Sequence, residues 1–176
     1  MKVERLPNAM NIGICQGTMP LIAYNFASGN WKRMNLVIKK STKYGLIICF
    51  FSLALFELLA KPLTGVFLDP NSVQAQGAVE TLAFAAAFLR IRCLASPVQF
   101  MNYRSSFCMQ AMGDGKGTLI HAIVRELVFY IPLMYLLSGI FKVTGLVFSL
   151  VIAETLAMIL ALYLMKKWQS KVLNIK

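Results

Sequence analysis

Acidic side chains are scarce in this chain. Its 176 residues include seven Asp plus Glu against 18 Lys plus Arg. Histidine occurs once, at His121, and the four cysteines (Cys15, Cys49, Cys93 and Cys108) form no Cys-x-x-Cys pair. A zinc site needs about four such ligands in close array, so no metal centre is expected. The thiols stand in or beside apolar stretches and read as buried apolar groups. Charge of either sign is thin: 14% of residues are charged, against about 25% in an average soluble domain. With 58% hydrophobic residues, that balance excludes a disordered chain, a collagen and a small disulfide scaffold. Residues 1–8 carry Lys2, Glu4, Arg5 and Pro7, with no short apolar core and small-residue cleavage site after them, so no signal peptide is expected. No catalytic dyad or nucleophile motif stands out, and no enzyme activity is expected. The run from Gly113 to Gly117 would need a preceding strand to cradle phosphate, and it reads as a turn between helices.

What the chain does have is long apolar runs. A helix rises about 1.5 Å per residue, so roughly 20 residues cross a ~30 Å hydrocarbon core. Five spans are expected, at about 9–27, 44–68, 80–112, 118–138 and 145–165. The first is interrupted by Gly13, Gln16, Gly17, Pro20 and Asn25 and reads as weak or protein-facing. Ser28-Gly29-Asn30 breaks it. The spacing of Met34, Leu36, Val37 and Ile38 among Lys32, Arg33, Lys39, Lys40 and Lys43 predicts an interfacial amphipathic stretch, or a solvated loop with a short helix. Asp69-Pro70-Asn71 is a turn, and Glu80 opens the third span near its positive end. That span is longer than a crossing needs and should tilt, bend at Pro97 or project. Ser138–Thr144 is a short turn. The fold class is all-α: a polytopic membrane bundle of about five helices in a single domain.

The net charge of +11 would suggest nucleic acid in a soluble protein. Here the bases fall between apolar runs rather than in a patch interleaved with aromatics, so no nucleic-acid partner is expected. The partner is the lipid bilayer. Bases concentrate in the Lys32–Lys43 segment, the Lys116 loop and the tail of Lys166, Lys167, Lys171 and Lys176. By the positive-inside rule these face the cytoplasm, giving a multi-pass cell-membrane protein with a cytoplasmic C-terminus. The start of the chain then falls outside, a layout natural after an earlier helix.

The stretch GICQGTMPLIAYNFASGN over residues 13–30 resembles the multidrug and toxic compound extrusion (MATE) transporter family. It is similar to the second helix of that family's C-terminal half, with Ala27-Ser28 where Gly-Ala is usual. Leu89-Arg90-Ile91, Pro97, Gln110 to Gly113 and Gly115-Lys116 follow in family order. Arg125-Glu126 with Ile131-Pro132-Leu133, and then Gly145, continue the match, with Glu126 where Gln is more usual. The resemblance covers the last five of the family's twelve helices. It implies a C-terminal fragment of an antiporter, coupled to Na⁺ or H⁺, that exports amphipathic organic cations by alternating access. Its partner would be a separate N-terminal half, and the chain would be inactive alone. The alternative is a small membrane protein without transport, an assembly partner or truncated remnant. No cofactor beyond the coupling ion is implied, and the family's coupling acids lie mostly on helices absent here.

Charges inside a bilayer cost several kcal/mol unless they face protein or water and find a partner. Glu154, midway along the last span, is therefore either a proton or cation site or an ion-pair partner of Arg125, with Glu126 beside it. Glu57 and Lys61 are four apart and read as a structural pair. Arg90 and Arg92 point to different faces of their helix, and Arg104 is placed at the cytoplasmic boundary, able to snorkel. Gln16, Tyr24 and Asn25 in the first span, and Gln99, Asn102 and Tyr103 below Pro97, are candidates to line a central cavity or to act as interhelical glue. Pro20, Pro97 and Pro132 each remove a backbone donor within a span and read as hinges or static kinks. The ten methionines and twelve phenylalanines suit adaptable binding of greasy cations, and mostly serve packing or lipid.

Overall fold

The computed structural model describes residues 5–67, 90–91 and 94–173, and its regular elements there are all helical. They are α1 (Arg5–Ala27), α2 (Trp31–Phe67), α3 (Ser96–Ala111), α4 (Gly115–Ile123), a π-helical segment (Val124–Tyr130) and α5 (Ile131–Leu173). The Asp69-Pro70-Asn71 turn, Glu80, Arg92, Cys93 and the opening of the expected third span lie outside the described residues. So do the side chains of Glu57 and Lys61.

The break between α1 and α2 comes from local chemistry. Gly29 sits at φ 71°, a left-handed conformation that glycine adopts without a Cβ penalty. The Asn30 N–H reaches back to the Asn25 carbonyl at 2.9 Å, which closes α1. The Asn30 side-chain oxygen then accepts from the Arg33 N–H at 3.2 Å and caps α2. No separate interfacial stretch follows. The basic segment is the first third of α2, with Met34 and Ile38 buried and Lys32, Arg33, Lys39, Lys40 and Lys43 exposed. The apolar residues recur four apart and pack on α1 and α3, so helix propagation carries straight through the lysines.

Pro97 does not interrupt the interior of α3. It occupies the first turn of α3, where the backbone N–H it lacks would have had no helical partner. At the other end of α3, Gly113 takes φ 80° and the Asp114 carboxylate accepts from the Gly117 N–H at 2.9 Å, capping α4.

The Ile131–Leu173 segment keeps helical turns yet is not a straight rod. Residues eight apart on a straight helix stand about 12 Å apart, but a Cβ on Gly145 would collide with the Leu137 carbonyl. Arg125 and Glu154 would be separated by about 43 Å on one rod, and they meet at 3.4 Å. The chain therefore doubles back around residues 138–144 into a helical hairpin. Its arms contain Gly115–Ile140 and Phe148–Ser170, two stretches long and apolar enough to cross a bilayer.

Polarity is distributed inside out. Phe51, Leu58, Tyr135 and Ile140 are each more than two-thirds exposed, while Asn11, Gln99, Asn102, Ser105 and Glu154 are buried. Ala153, Ala157 and Ala161 form a buried stripe that lets the second arm of α5 approach its neighbours closely. Phe100 is buried against α2 because Gly45 has no Cβ, which its ring would otherwise meet.

Candidate functional site

The densest polar cluster lies where α3, the π segment and the second arm of α5 meet. Glu154 is at its centre, its side chain 5% exposed. Asn102 donates to Glu154 Oε2 at 2.6 Å and to the Glu154 backbone carbonyl at 2.9 Å. Gln99 donates to Oε1 at 3.3 Å, and Arg125 Nη2 approaches the same oxygen at 3.4 Å. Two amides and a guanidinium therefore satisfy a carboxylate that would otherwise be costly to bury. Gln99 and Asn102 can serve one acid together because residues three apart share a helix face.

Arg125 also contacts Glu126 at 3.3 Å and stands over the Tyr103 ring, 5.4 Å from its centroid. With both carboxylates ionised, two acids face one base and the cluster carries a net negative charge. A cavity of about 220 Å³ opens beside it, lined by Gln99, Tyr103, Arg125, Glu126 and Glu154 together with Asn8, Tyr130, Leu150 and Ala153.

The π segment belongs to this site. The Ile131 N–H bonds to the Glu126 carbonyl five residues back, one more than in an α-helix. Pro132 follows at once. It can donate nothing to the carbonyl four residues before it, and its ring presses on that carbonyl. A wider turn relieves the crowding, and it carries Arg125, Glu126 and Tyr130.

The residues read from the sequence thus separate into two groups. Gln99, Asn102, Tyr103, Arg125, Glu126 and Glu154 converge. Gln16 and Tyr24 do not: both are exposed on α1, on a face with Pro20. Asn25 is buried, and its amide donates to the Leu21 carbonyl of its own helix at 2.7 Å. Arg104 is half-buried, with an Nε that has no hydrogen-bond partner. Asn8 and Tyr130 also stand on the cavity wall, and neither carries a signal in the sequence. Asn8 precedes the first apolar run, and no pattern in the sequence places Tyr130 opposite α3.

A second polar node joins Asn11, Cys49 and Ser96. The Cys49 thiol donates to Asn11 Oδ1 at 2.9 Å, and the Asn11 amide donates to Ser96 Oγ at 3.2 Å. Cys49 is buried, but it is not a purely apolar thiol; it ties α2 to α1, and Asn11 ties α1 to the start of α3.

A sequence model of the MatE family matches residues 8–136, from Asn8 on the cavity wall through the π segment into the first arm of α5. The chain belongs to the MatE family. Among its MatE relatives, the multidrug export protein MepA of Staphylococcus saprophyticus is 29% identical over 168 residues, covering 94% of this chain and 35% of that protein. MepA of Staphylococcus aureus strain MRSA252 is 28% identical over the same length. The chain thus spans about a third of the length of the curated relatives it matches. A multidrug resistance MATE family transporter of the MOP superfamily, solved in an inward-facing conformation, superposes with a TM-score of 0.87 at 18% identity, over 98% of this chain and 39% of the transporter. The fold is that of the matching part of a MATE transporter.

Proposed function

We propose that this chain is the C-terminal portion of a multidrug efflux antiporter, exporting amphipathic organic cations by alternating access with Na⁺ or H⁺ as the counter-ion. Glu154 is the coupling acid in this reading. Gln99, Tyr103 and Glu126 line the cation's path, Asn102 holds the Glu154 carboxylate, and Arg125 is the internal counter-charge that a passing ion displaces. The observation that carries the proposal is the buried Glu154 carboxylate, held by Arg125, Gln99 and Asn102 beside a polar cavity with one acid in excess. Excess negative charge in a low-dielectric cleft attracts cations. The relatives' names, multidrug export proteins, supply the substrate class. Gln16 and Tyr24, exposed on α1, are assigned to contact with a separate N-terminal half rather than to the cavity. The protein sits in the cell membrane as a multi-pass bundle with a cytoplasmic tail.

The test is ethidium accumulation in cells co-expressing this chain with a matching N-terminal half. The pair is expected to lower accumulation, Glu154→Gln to abolish the effect at unchanged membrane abundance, and the lone chain to have none. Wild-type efflux by the Glu154→Gln pair would remove Glu154 from the mechanism, and absence of efflux by the unmutated pair would remove the transport reading. A structural role for the Arg125–Glu154 pair is the second reading, favoured by how completely the carboxylate is already satisfied. It predicts instead that Glu154→Gln lowers membrane abundance together with efflux.

A further inference from the structure

At the far end of the bundle from Asn8, a second and larger groove of about 750 Å³ runs between the α3–α4 turn and the last turns of α5. Its walls are chemically divided. Ile120, Leu164 and Trp168 form an apolar side, and Lys116 and Lys167, both exposed, form a basic rim. The acid on the groove, Asp114, is turned onto the α4 N-terminus, where its carboxylate accepts from the Gly117 N–H at 2.9 Å.

Lys116 opens the first apolar arm and Lys167 lies near the close of the second. Because the arms are antiparallel, both ammonium groups emerge at the same end of the hydrophobic slab. Both tryptophans of the chain are at this end too. Trp31 and Trp168 pack against one core cluster that includes Met34, Met112 and Met165. Indoles in this position mark the level where acyl chains give way to headgroups. The groove thus offers apolar walls at acyl depth and two cations at phosphate depth.

We infer that this groove is a binding site for one acidic phospholipid, whose acyl chain lies along Ile120, Leu164 and Trp168 while its phosphodiester is held between Lys116 and Lys167. The charge pattern selects the occupant. A zwitterionic lipid brings its own cation to the two lysines, whereas an anionic headgroup leaves them uncompensated charge to neutralise. The site is separate from the Glu154 cavity, and its occupancy does not depend on the transport reading.

Native mass spectrometry of the full chain in mild detergent, with phosphatidylglycerol or phosphatidylcholine added, tests this. One phosphatidylglycerol is expected to stay bound in preference to phosphatidylcholine. The preference should fall by roughly fivefold for Lys116→Gln or Lys167→Gln alone, and vanish in the double variant. Lys39→Gln/Lys40→Gln, on exposed α2 lysines outside the groove, should leave it intact. Equal retention of the two lipids, or full preference in the Lys116/Lys167 double variant, would overturn the assignment. Millimolar inorganic phosphate should not displace the lipid; if it does, the lysines are a free-anion site and the lipid assignment fails. As a second readout, brominated phosphatidylglycerol should quench Trp168 in a Trp31→Phe background more than the brominated choline lipid does.

Discussion

Arg125 stands between two carboxylates and gives its charge mainly to the buried one. Its contacts to Glu154 and Glu126 are nearly equal in length, 3.4 and 3.3 Å, but Glu126 is 58% exposed and Glu154 5%. Water in the cavity that Glu126 lines screens the first pair more than the second. Removing Arg125 would leave Glu154 as an uncompensated buried charge, an error worth about 3–5 kcal/mol. Arg125→Ala should therefore lower the thermal midpoint in detergent sharply, while Arg125→Ala/Glu154→Gln recovers most of the loss; a double variant no better than the single would contradict the pairing. Asn102→Ala deletes the shortest bond to the carboxylate and should cost about 1.5–3 kcal/mol, read in the same assay. Glu126→Gln, on the exposed side, should be nearly silent for stability, though not for efflux if the cavity's excess charge draws the substrate in.

At the scale of elements, the π segment and the α2–α3 contact matter most. The π turn places Arg125, Glu126 and Tyr130 on the cavity, and Pro132 is its local cause. Pro132→Ala restores a donor, so the segment should tighten into ordinary α-helix and rotate Arg125 relative to Glu154. Slower amide exchange over 126–132 would report the change, and unaltered exchange would show that tertiary packing alone holds the wide turn. Gly45 makes a different demand. Any side chain there meets the Phe100 ring, and overpacking of this kind costs about 1–3 kcal/mol. Gly45→Val should unfold earlier on heating, followed by the exposure of the buried thiols Cys15, Cys49 and Cys108 to a thiol-reactive dye. A midpoint unchanged by Gly45→Val would mean the ring has room to move.

For the whole molecule, the governing fact is that, among the described residues, many large apolar side chains face outward while several polar ones are buried. Tyr24, Phe51, Leu58, Tyr135 and Ile140 face outward, and Asn11, Gln99, Asn102, Ser105 and Glu154 face inward. Water would favour the reverse, and hydrocarbon favours what is seen. The chain should therefore fractionate with membranes and need detergent for extraction. Recovery of folded, monodisperse protein from the aqueous fraction would refute this. Spanning about a third of its relatives' length, it is also expected to confer no ethidium efflux when expressed alone. Energy-dependent efflux by the lone chain would show that one bundle suffices.

The helices, their apolar character and most of the residues that converge on Glu154 can be read along the chain. Hydropathy is a local sum, caps such as Asn30 and Asp114 act within three residues, and a charge buried mid-span demands a partner wherever it is found. The family could be read too, since its motifs arrive as ordered strings. What could not be read is anything set by two distant segments meeting. Gln16 and Asn102 are alike as polar residues in apolar stretches, yet one faces outward and the other bonds Glu154, because helix rotation is decided by packing neighbours. The Asn11–Cys49–Ser96 node needs three helices at once, and no local pattern encodes their approach.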